Sequence, residues 1–250
     1  MRRFASRGGP VLGAPVSASD PPYMSGIIDE LHCERRISLD GSTNVQSWTS
    51  KLGLYAPAQA TAGQRPTYGV DGAHFNGKSV VQCDVATPRW LISPSGGIIF
   101  PLNSRPYVAT IARIRALPAA GFNGVFAFTN AGGGTNDPGL YANATQLQAF
   151  WPNASSLTAG PPSTNPVLFE VYYDDTGVCR MAINLTVVAS DPTPGRFAAG
   201  GATKVAIGAN GGGSNFNNAS FAFQRSCVAL PPLPERQALY AWGQSYFLIP

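Results

Sequence analysis

Glycine and proline interrupt this chain so often that it has room for few long helices. The 250 residues include 28 glycines and 22 prolines, a fifth of the total, without the triplet period of collagen. Such punctuation divides a chain into many short segments separated by turns. The hydrophobic content of 44% is enough for a sizeable core, and a β-rich chain of this length often forms a single domain.

The hydrophobic pattern between the turns is that of β-strands. Residues 167–174 (VLFEVYYD) alternate between two faces, residues 175–177 (DTG) supply a turn, and residues 178–185 (VCRMAINL) complete a predicted hairpin. Residues 26–36 (GIIDELHCERR) are compatible with either a short helix or a first strand. The other predicted strands are 79–85, 107–114, 124–129, 147–151, 204–208 and 220–228.

A single long helix is predicted, near the C-terminus. Residues 233–247 place Leu239, Trp242 and Tyr246 at helical spacing, and Pro234 suits the first turn of a helix. Many short strands with one terminal helix indicate an all-β fold in which two antiparallel sheets form a sandwich or jelly roll. We expect Leu239 and Trp242 to be buried against this sandwich.

Residues 72–79 (GAHFNGKS) satisfy the phosphate-loop pattern G-x-x-x-x-G-K-[ST]. A phosphate loop requires a strand that leads into a helix, because the N–H groups and dipole at the helix N-terminus hold the phosphates. The residues that follow Ser79 are β-branched and are then interrupted by Pro88. We therefore predict that Lys78 lies on or beside a strand, that no helix begins at Ser79, and that the protein does not bind nucleotide.

Several short motifs follow one another in a defined order along the chain. Near the start they are Trp48, Gln59-Ala60, Arg65-Pro66-Thr67-Tyr68 and Phe75-Asn76-Gly77. The later segments of the series are 105–116, 139–151, 167–185, 204–223 and 230–247. In these motifs and their order, residues 37–247 resemble the concanavalin A-like lectin and laminin G-type jelly-roll family. The resemblance implies a two-sheet antiparallel jelly-roll sandwich with one short C-terminal helix. The sequence departs from the family where Leu185 follows Asn184 in place of glycine, and where residues 223–225 replace acidic residues.

The first 25 residues have the composition of a tail, rich in Arg, Gly, Pro, Ala and Ser and without periodicity. We therefore divide the chain into an extended N-terminal arm, residues 1–36, and a jelly-roll domain, residues 37–250. We expect the arm to bind a partner by placing arginines against carboxylates and apolar side chains in grooves. The side chains predicted to do so are Arg2, Arg3, Phe4, Arg7, Val11 and Leu12.

The ends and the charge of the chain limit its location and partners. The N-terminal segment lacks the apolar run of a secretory signal, and no stretch is long and apolar enough to span a membrane. We therefore expect synthesis in the cytoplasm without export, and no membrane partner. The net charge of +4 is small and mostly local to residues 1–7 and 35–36, so we expect no nucleic-acid partner.

Groups that support common catalytic chemistry are sparse. The four glutamates, Glu30, Glu34, Glu170 and Glu235, lack the Glu-x-Asp-x-x-Glu spacing with which hydrolases of this fold cleave glycosides. The two histidines, His32 and His74, lack the G-x-S-x-G motif or cysteine spacing expected of a triad or zinc site. The four cysteines are expected to be buried reduced thiols, or disulfides if the protein matures outside a cell. We predict no enzymatic activity, no cofactor and no metal.

Sugar binding is an activity that the resemblance implies. Lectin sites combine an aromatic platform with Asn and Asp side chains in loops. The candidate residues are Asn136, Asp137, Tyr141 and Trp151, together with the Asn-rich loop 210–218. The simpler interpretation of Tyr141 and Trp151 is that they pack in the core, as aromatic side chains on strands usually do.

Three classes of function remain: a structural protein of an assembly, a carbohydrate-binding module and an enzyme. Bacteriophage capsids and tails often carry lectin-like domains and assemble in the cytosol, so by analogy at the level of fold we expect a virion structural protein. The sequence has no long repeats or coiled-coil stalk of the kind that tail fibres usually carry, which favours a capsid decoration protein. Such a protein would bind the major capsid protein on the head surface, with a homo-oligomer and a cell-surface glycan as further partners. A lectin-like module or a tail-fibre adhesin is the alternative.

Overall fold

A computed structural model describes residues 20–94, 99–101, 104–117, 121–129, 139–150, 156–194, 202–210 and 212–250. The strands in these ranges are Ile27–His32 (β1), Ile37–Leu39 (β2), Val45–Trp48 (β3), Thr67–Val70 (β4), Ser79–Cys83 (β5), Leu91–Ile92 (β6), Tyr107–Ala116 (β7), Asn123–Thr129 (β8), Gly139–Ala142 (β9), Leu147–Phe150 (β10), Leu157–Ala159 (β11), Val167–Tyr173 (β12), Val178–Ile183 (β13), Thr186–Pro194 (β14), Lys204–Ile207 (β15) and Asn218–Cys227 (β16). One α-helix, Leu233–Phe247 (α1), follows the last strand.

Two antiparallel sheets form the predicted sandwich. The larger sheet has the strand order β14-β13-β12-β7-β16-β5-β4, and β1 also pairs with β16. The smaller sheet has the order β11-β10-β9-β8-β15-β6, and β2 and β3 form a separate two-stranded ribbon. Buried apolar side chains from both sheets and from α1 belong to one continuous hydrophobic cluster. This architecture confirms the all-β, two-sheet antiparallel prediction with one C-terminal helix.

The central hairpin is formed as predicted, by β12 and β13, with Val171 opposite Met181. Asp174 closes its turn, because Oδ1 accepts hydrogen bonds from the N–H groups of Thr176 and Val178, each at 3.0 Å. All seven residues of β12 are buried. Alternation along a strand predicts that it has two faces, but not what packs against each of them. Here one face packs against the smaller sheet and the other lies beneath α1.

The next turn, between β13 and β14, shows how the chain departs from the family pattern. Asn184 and Leu185 both have positive φ, of 50° and 66°, although leucine rarely adopts this conformation. Asn184 fixes the turn, since its Oδ1 accepts a hydrogen bond from the Leu168 N–H at 2.9 Å. The Leu185 side chain packs against the hydrophobic core. We infer that this packing offsets the backbone strain that a glycine would avoid.

Helix α1 has the predicted bounds and covers the outer face of the larger sheet. Leu239 and Trp242 are both buried, as predicted. The Trp242 ring lies edge-to-face with Phe223 of β16 at 5.2 Å between centroids. Gly243 allows the close approach, because a Cβ at this position would lie 3.1 Å from Ile111 Cδ1 of β7. Within the described residues, the helical structure is too short or too polar to cross a membrane.

The GAHFNGKS segment connects two antiparallel strands. Val70 of β4 lies opposite Ser79 of β5, and residues 74–77 between them form a short 3-10 turn. Strand β5, rather than a helix, begins at Ser79, which confirms the prediction made for Lys78. Lys78 Nζ lies 3.8 Å from the centre of the Tyr246 ring and 3.5 Å from Glu34 Oε1. The lysine therefore joins this turn to α1.

The sandwich begins earlier than the predicted boundary at residue 36. Strand β1 pairs with β16 from Ile27–Cys227 to His32–Phe223, so residues 27–32 belong to the larger sheet. Met24 is fully buried in the core. The N-terminal residues predicted to bind a partner, Arg2, Arg3, Phe4, Arg7, Val11 and Leu12, lie outside the described residues.

Candidate functional site

A buried ion pair fixes α1 to the larger sheet. Glu170 of β12 is fully buried and accepts hydrogen bonds from Arg236 Nε and Nη2 at 2.8 and 3.1 Å. The hydroxyl of Tyr107 on β7 donates a third, to Glu170 Oε1 at 2.8 Å. Burying a carboxylate is costly unless it is paired and hydrogen-bonded. These three donors meet that requirement, so Glu170 has a structural role.

Glu30 forms a second buried pair on the same face. Its Oε2 accepts a hydrogen bond from Arg225 Nε at 3.0 Å, and Lys51 Nζ lies 3.1 Å from Oε1. Burial by itself would raise the pKa of Glu30, but Arg225 and Lys51 hold the pKa below its ordinary value. Arg225 also donates to the carbonyl of Pro22 at 2.8 Å. The pair therefore connects the entering chain to β1 and β16.

The other two glutamates also join separate parts of the chain. Glu34 contacts Lys78 and accepts a hydrogen bond from the hydroxyl of Tyr246. Glu235 Oε2 accepts hydrogen bonds from the N–H and the hydroxyl of Ser25 at 2.6 and 2.9 Å. Each of the four glutamates thus stabilises a contact between segments that are distant in sequence.

His32 is packed among aromatic rings. Its ring centroid lies 5.8 Å from that of Trp242 and 6.2 Å from that of Phe223, and only 3% of the residue is exposed. Nδ1 accepts a hydrogen bond from the Glu34 N–H at 3.2 Å. Burial, assisted by the positive charge of Arg35, lowers the pKa of His32 to about 4. The imidazole is therefore neutral at neutral pH.

All four cysteines are buried, as expected, and the structure places none of them in a disulfide. They are Cys33, Cys83, Cys179 and Cys227. Burial raises the pKa of the Cys179 and Cys227 thiols to about 12, so neither forms a reactive thiolate at neutral pH. In the described part of the chain, no three His, Cys, Asp or Glu residues are grouped in a way that could hold a metal ion.

Tyr141 is the predicted sugar-binding residue that lies in the described part of the chain, and it is not exposed. Tyr141 is fully buried on the outer face of the smaller sheet, where it lies edge-to-face with Phe150 at 5.3 Å between centroids. It packs beside Ala127 and Ala206, so it does not present the exposed platform that the prediction requires. The other candidates, Asn136, Asp137 and Trp151, lie outside the described residues.

The amides of the Asn-rich loop 210–218 hold the loop itself in place. Asn210 Oδ1 accepts a hydrogen bond from the Ser214 N–H at 2.8 Å. Asn217 Nδ2 donates to the carbonyl of Asn123 at 3.0 Å. Asn210 and Asn217 are both buried, so these two side chains stabilise the loop and are not presented to a ligand.

An open groove beside β1, which the sequence analysis did not predict, is the most distinctive polar surface. We call it the basic groove. It is lined by Glu30, His32, Arg35, Arg36, Ile37, Ser38, Ser47, Thr49 and Lys51. Its open part, along the ribbon of β2 and β3, has a volume of about 370 Å³. The only sequence signal was the Arg35-Arg36 pair.

The cations of the basic groove differ in how they are paired. Arg35 forms an ion pair with Asp20, and Lys51 forms one with Glu30. Arg36 is exposed, and its Nη1 lies 3.5 Å from the carbonyl of Ser50. No carboxylate of the described residues forms an ion pair with Arg36. This guanidinium is therefore available to an external anion.

A second concave surface, the C-terminal cleft, lies between the β4–β5 turn and the end of α1. It has a volume of about 220 Å³ and is lined by Ala73, His74, Phe75, Asn165, Pro166, Leu248 and Pro250. The carbonyl of Pro250 accepts hydrogen bonds from Asn184 Nδ2 at 3.1 Å and from the hydroxyl of Tyr240. His74 and Asn165 supply polar groups beside apolar walls, a combination suited to a small polar ligand.

Comparison with solved structures shows that the fold is concanavalin A-like. Trypanosoma rangeli sialidase aligns with a TM-score of 0.55 and 14% identity over 89% of this chain and 33% of the sialidase. The same sialidase in complex with sialic acid gives 0.57 and 14%, over 89% and 34%. The botulinum neurotoxin serotype D binding domain gives 0.53 and 10%, over 86% and 50%.

These likenesses show the fold alone, because the sequence identities are low. The chain spans between a third and a half of the length of the structures it matches. No family model matches the sequence, and no curated protein matches it. The comparisons therefore define the fold of this chain as an all-β, concanavalin A-like sandwich.

Proposed function

We propose that the protein is a non-enzymatic interaction domain that joins a larger assembly through its N-terminal arm. The assembly we propose is a virion, in which the domain decorates the capsid surface and binds the major capsid protein after synthesis in the host cytoplasm. The observation that supports an anchoring role is the way in which residues 20–26 are fixed to the sandwich.

Three polar contacts hold this segment along the larger sheet. Asp20 pairs with Arg35, the carbonyl of Pro22 accepts a hydrogen bond from Arg225, and Ser25 binds Glu235. Residues 1–19 therefore start from a fixed point beside the basic groove. Nineteen extended residues reach at most roughly 65 Å, which suffices to contact a neighbouring subunit.

The use of the acidic groups supports a non-enzymatic role. General acid–base catalysis most often uses a histidine, aspartate or glutamate side chain within reach of the substrate. Glu30 and Glu170 are instead buried in ion pairs with arginines, and His32 is enclosed by aromatic rings. These groups are committed to holding α1 and β1 on the sheet.

The test of the anchoring role is deletion of residues 1–19, which leaves Asp20 and the buried Met24 in place. We expect a folded protein with unchanged thermal stability that no longer enters particles, as measured by mass spectrometry of purified virions. A matched control carries Arg105→Gln, which removes one exposed charge outside the arm. Occupancy of the truncated protein at the full-length level, or absence of the full-length protein from particles, would contradict the proposal.

Glycan binding is a second candidate function, favoured by the lectin-type fold and by the C-terminal cleft. His74 and Asn165 are the polar side chains that would orient a saccharide there. A glycan array should then show ligands whose binding is lost in both His74→Ala and Asn165→Ala but is kept in Lys204→Ala, on the opposite sheet. Binding that is unchanged in the two cleft variants would exclude the cleft.

A further inference from the structure

The cations that line the basic groove are not all paired. The lining contains Arg35, Arg36 and Lys51 and one carboxylate, Glu30. Arg35 pairs with Asp20 and Lys51 pairs with Glu30, whereas Arg36 forms no ion pair with a carboxylate of the described residues. A partner that enters the groove therefore meets an unpaired positive charge at Arg36.

The basic groove has the geometry of an open channel with hydrogen-bonding walls. Ser38 of β2 lies opposite Ser47 of β3, and the Thr49 N–H donates to the carbonyl of Arg36 at 3.0 Å. The walls thus place hydroxyl groups along the ribbon and the Arg36 guanidinium beside them. A guanidinium binds a carboxylate through two parallel hydrogen bonds. Arg36 is therefore the strongest hydrogen-bond donor that this surface offers to an anion.

The lining of the basic groove also limits the class of its ligand. It contains no tryptophan, tyrosine or phenylalanine among the described residues. Saccharide sites and single-stranded nucleic-acid sites generally use aromatic platforms, on which rings or bases stack. A groove with hydroxyls, an aliphatic side chain and cations suits an extended polypeptide with acidic side chains instead.

We infer that the basic groove is the docking site for an acidic, extended segment of a partner protein. The inference rests on the proposed role as an assembly domain, and it names a contact that the arm alone does not supply. A partner carboxylate binds Arg36, and the hydroxyls of Ser38, Ser47 and Thr49 bind neighbouring polar groups. At the rim of the groove, Asp20 pairs with Arg35, which leaves Arg36 as the cation that the partner segment binds.

The inference is tested by fluorescence anisotropy with a labelled peptide of ten glutamates as the probe. Charge-assisted hydrogen bonds contribute about 1.5–3 kcal/mol, so Arg36→Gln should weaken binding by roughly tenfold or more. Lys204→Gln, which removes the same charge from the opposite sheet, should change it less than about twofold. Binding should also weaken as salt is raised, because the site is exposed.

Three outcomes would overturn the inference. The first is equal weakening by Arg36→Gln and Lys204→Gln, which would indicate attraction to the net charge alone. The second is the absence of any binding of the peptide at low salt. The third is Arg36-dependent binding of a heparin-derived oligosaccharide or single-stranded DNA that is tighter than that of the peptide, which would assign the groove to another class of polyanion.

The two proposals fail in different ways. If Arg36→Gln leaves peptide binding unchanged while deletion of residues 1–19 still prevents incorporation into particles, the proposed docking site is wrong and the anchoring role is supported. If the truncated protein enters particles normally while Arg36→Gln still weakens peptide binding, the anchoring role is wrong and the groove is supported as an acidic-peptide site.

Discussion

The outer face of the larger sheet and the basic groove both carry charged side chains, but these side chains differ in burial and in pairing. Beneath α1, Glu170 and Arg236 are buried and hydrogen-bonded to each other. In the groove, Arg36 is exposed and has no carboxylate partner among the described residues. A charge that is buried must be paired to avoid a large desolvation cost. A charge left exposed and unpaired costs little and stays free to bind.

The comparison separates residues that keep the fold from residues that can bind a partner. Removing one member of a buried pair leaves the other uncompensated, so these positions should affect stability strongly. Isolated surface charges contribute little to stability, so Arg36 should affect binding and not folding. Stability and binding measurements on the same variants can therefore test this distinction.

The largest loss of stability is expected for Glu170→Ala, which leaves the buried Arg236 without its carboxylate partner. We expect a loss of about 3–5 kcal/mol in the free energy of unfolding, measured by urea titration. Arg36→Gln is the matched control and should change stability by less than about 0.5 kcal/mol. A loss below about 1 kcal/mol for Glu170→Ala would mean that the pair is not essential to the attachment of α1.

A smaller effect is expected from the buried His32, whose folded pKa of about 4 lies below its ordinary value near 6.5. The stability from the neutral ring is fully present above pH 6.5 and is lost as pH falls toward 4, because the unfolded chain takes up a proton that the folded protein excludes. The groups around the ring are Glu30, Glu34, Arg35 and Lys78. We expect a loss of about 2 kcal/mol between pH 7 and pH 5.

The measurement for His32 is urea unfolding of the wild type and of His32→Gln at both pH values. The variant should be less stable at pH 7, because its side chain fits the aromatic cluster poorly, and its stability should depend less on pH in this range. The same pH dependence in both proteins would show that other groups, and not His32, titrate in this range.

The smallest effect is expected for Lys78→Ala, in the GAHFNGKS turn. Its contacts with Glu34 and Tyr246 lie near the surface, so the loss of stability should be about 1 kcal/mol or less. Calorimetry should detect no binding of Mg-ATP to either protein. Micromolar, magnesium-dependent ATP binding that Lys78→Ala abolishes would contradict the structural role of this lysine.

Much of the fold could be predicted from the sequence because local patterns specify it. The alternation in residues 167–185 and the turn signal at residues 175–177 identified the central hairpin. The helical spacing of Leu239 and Trp242 identified α1 with its bounds. The β-branched residues after Ser79 excluded a phosphate loop, and β5 begins there. In each case the signal lies within a few consecutive residues.

The candidate site was not predictable in the same way. The sequence allowed two interpretations of Tyr141, a ligand platform or a packed aromatic side chain, and its burial in the folded protein supports the second. The basic groove joins side chains from β1, β2, β3 and the residues that follow β3, and only tertiary structure brings these segments together.

Turn residues and hydrophobic periods act locally, so the sequence is enough to predict an all-β sandwich with one C-terminal helix. The start of the sandwich and the identity of the buried ion pairs depend on contacts between distant segments, which the folded structure shows. Residues 27–32 became a strand because β16 offered them a pairing edge, and Glu30 became structural because Arg225 lies opposite it. Arg36 remained available because it lies in the exposed connection to β2, where no carboxylate of the described chain forms an ion pair with it.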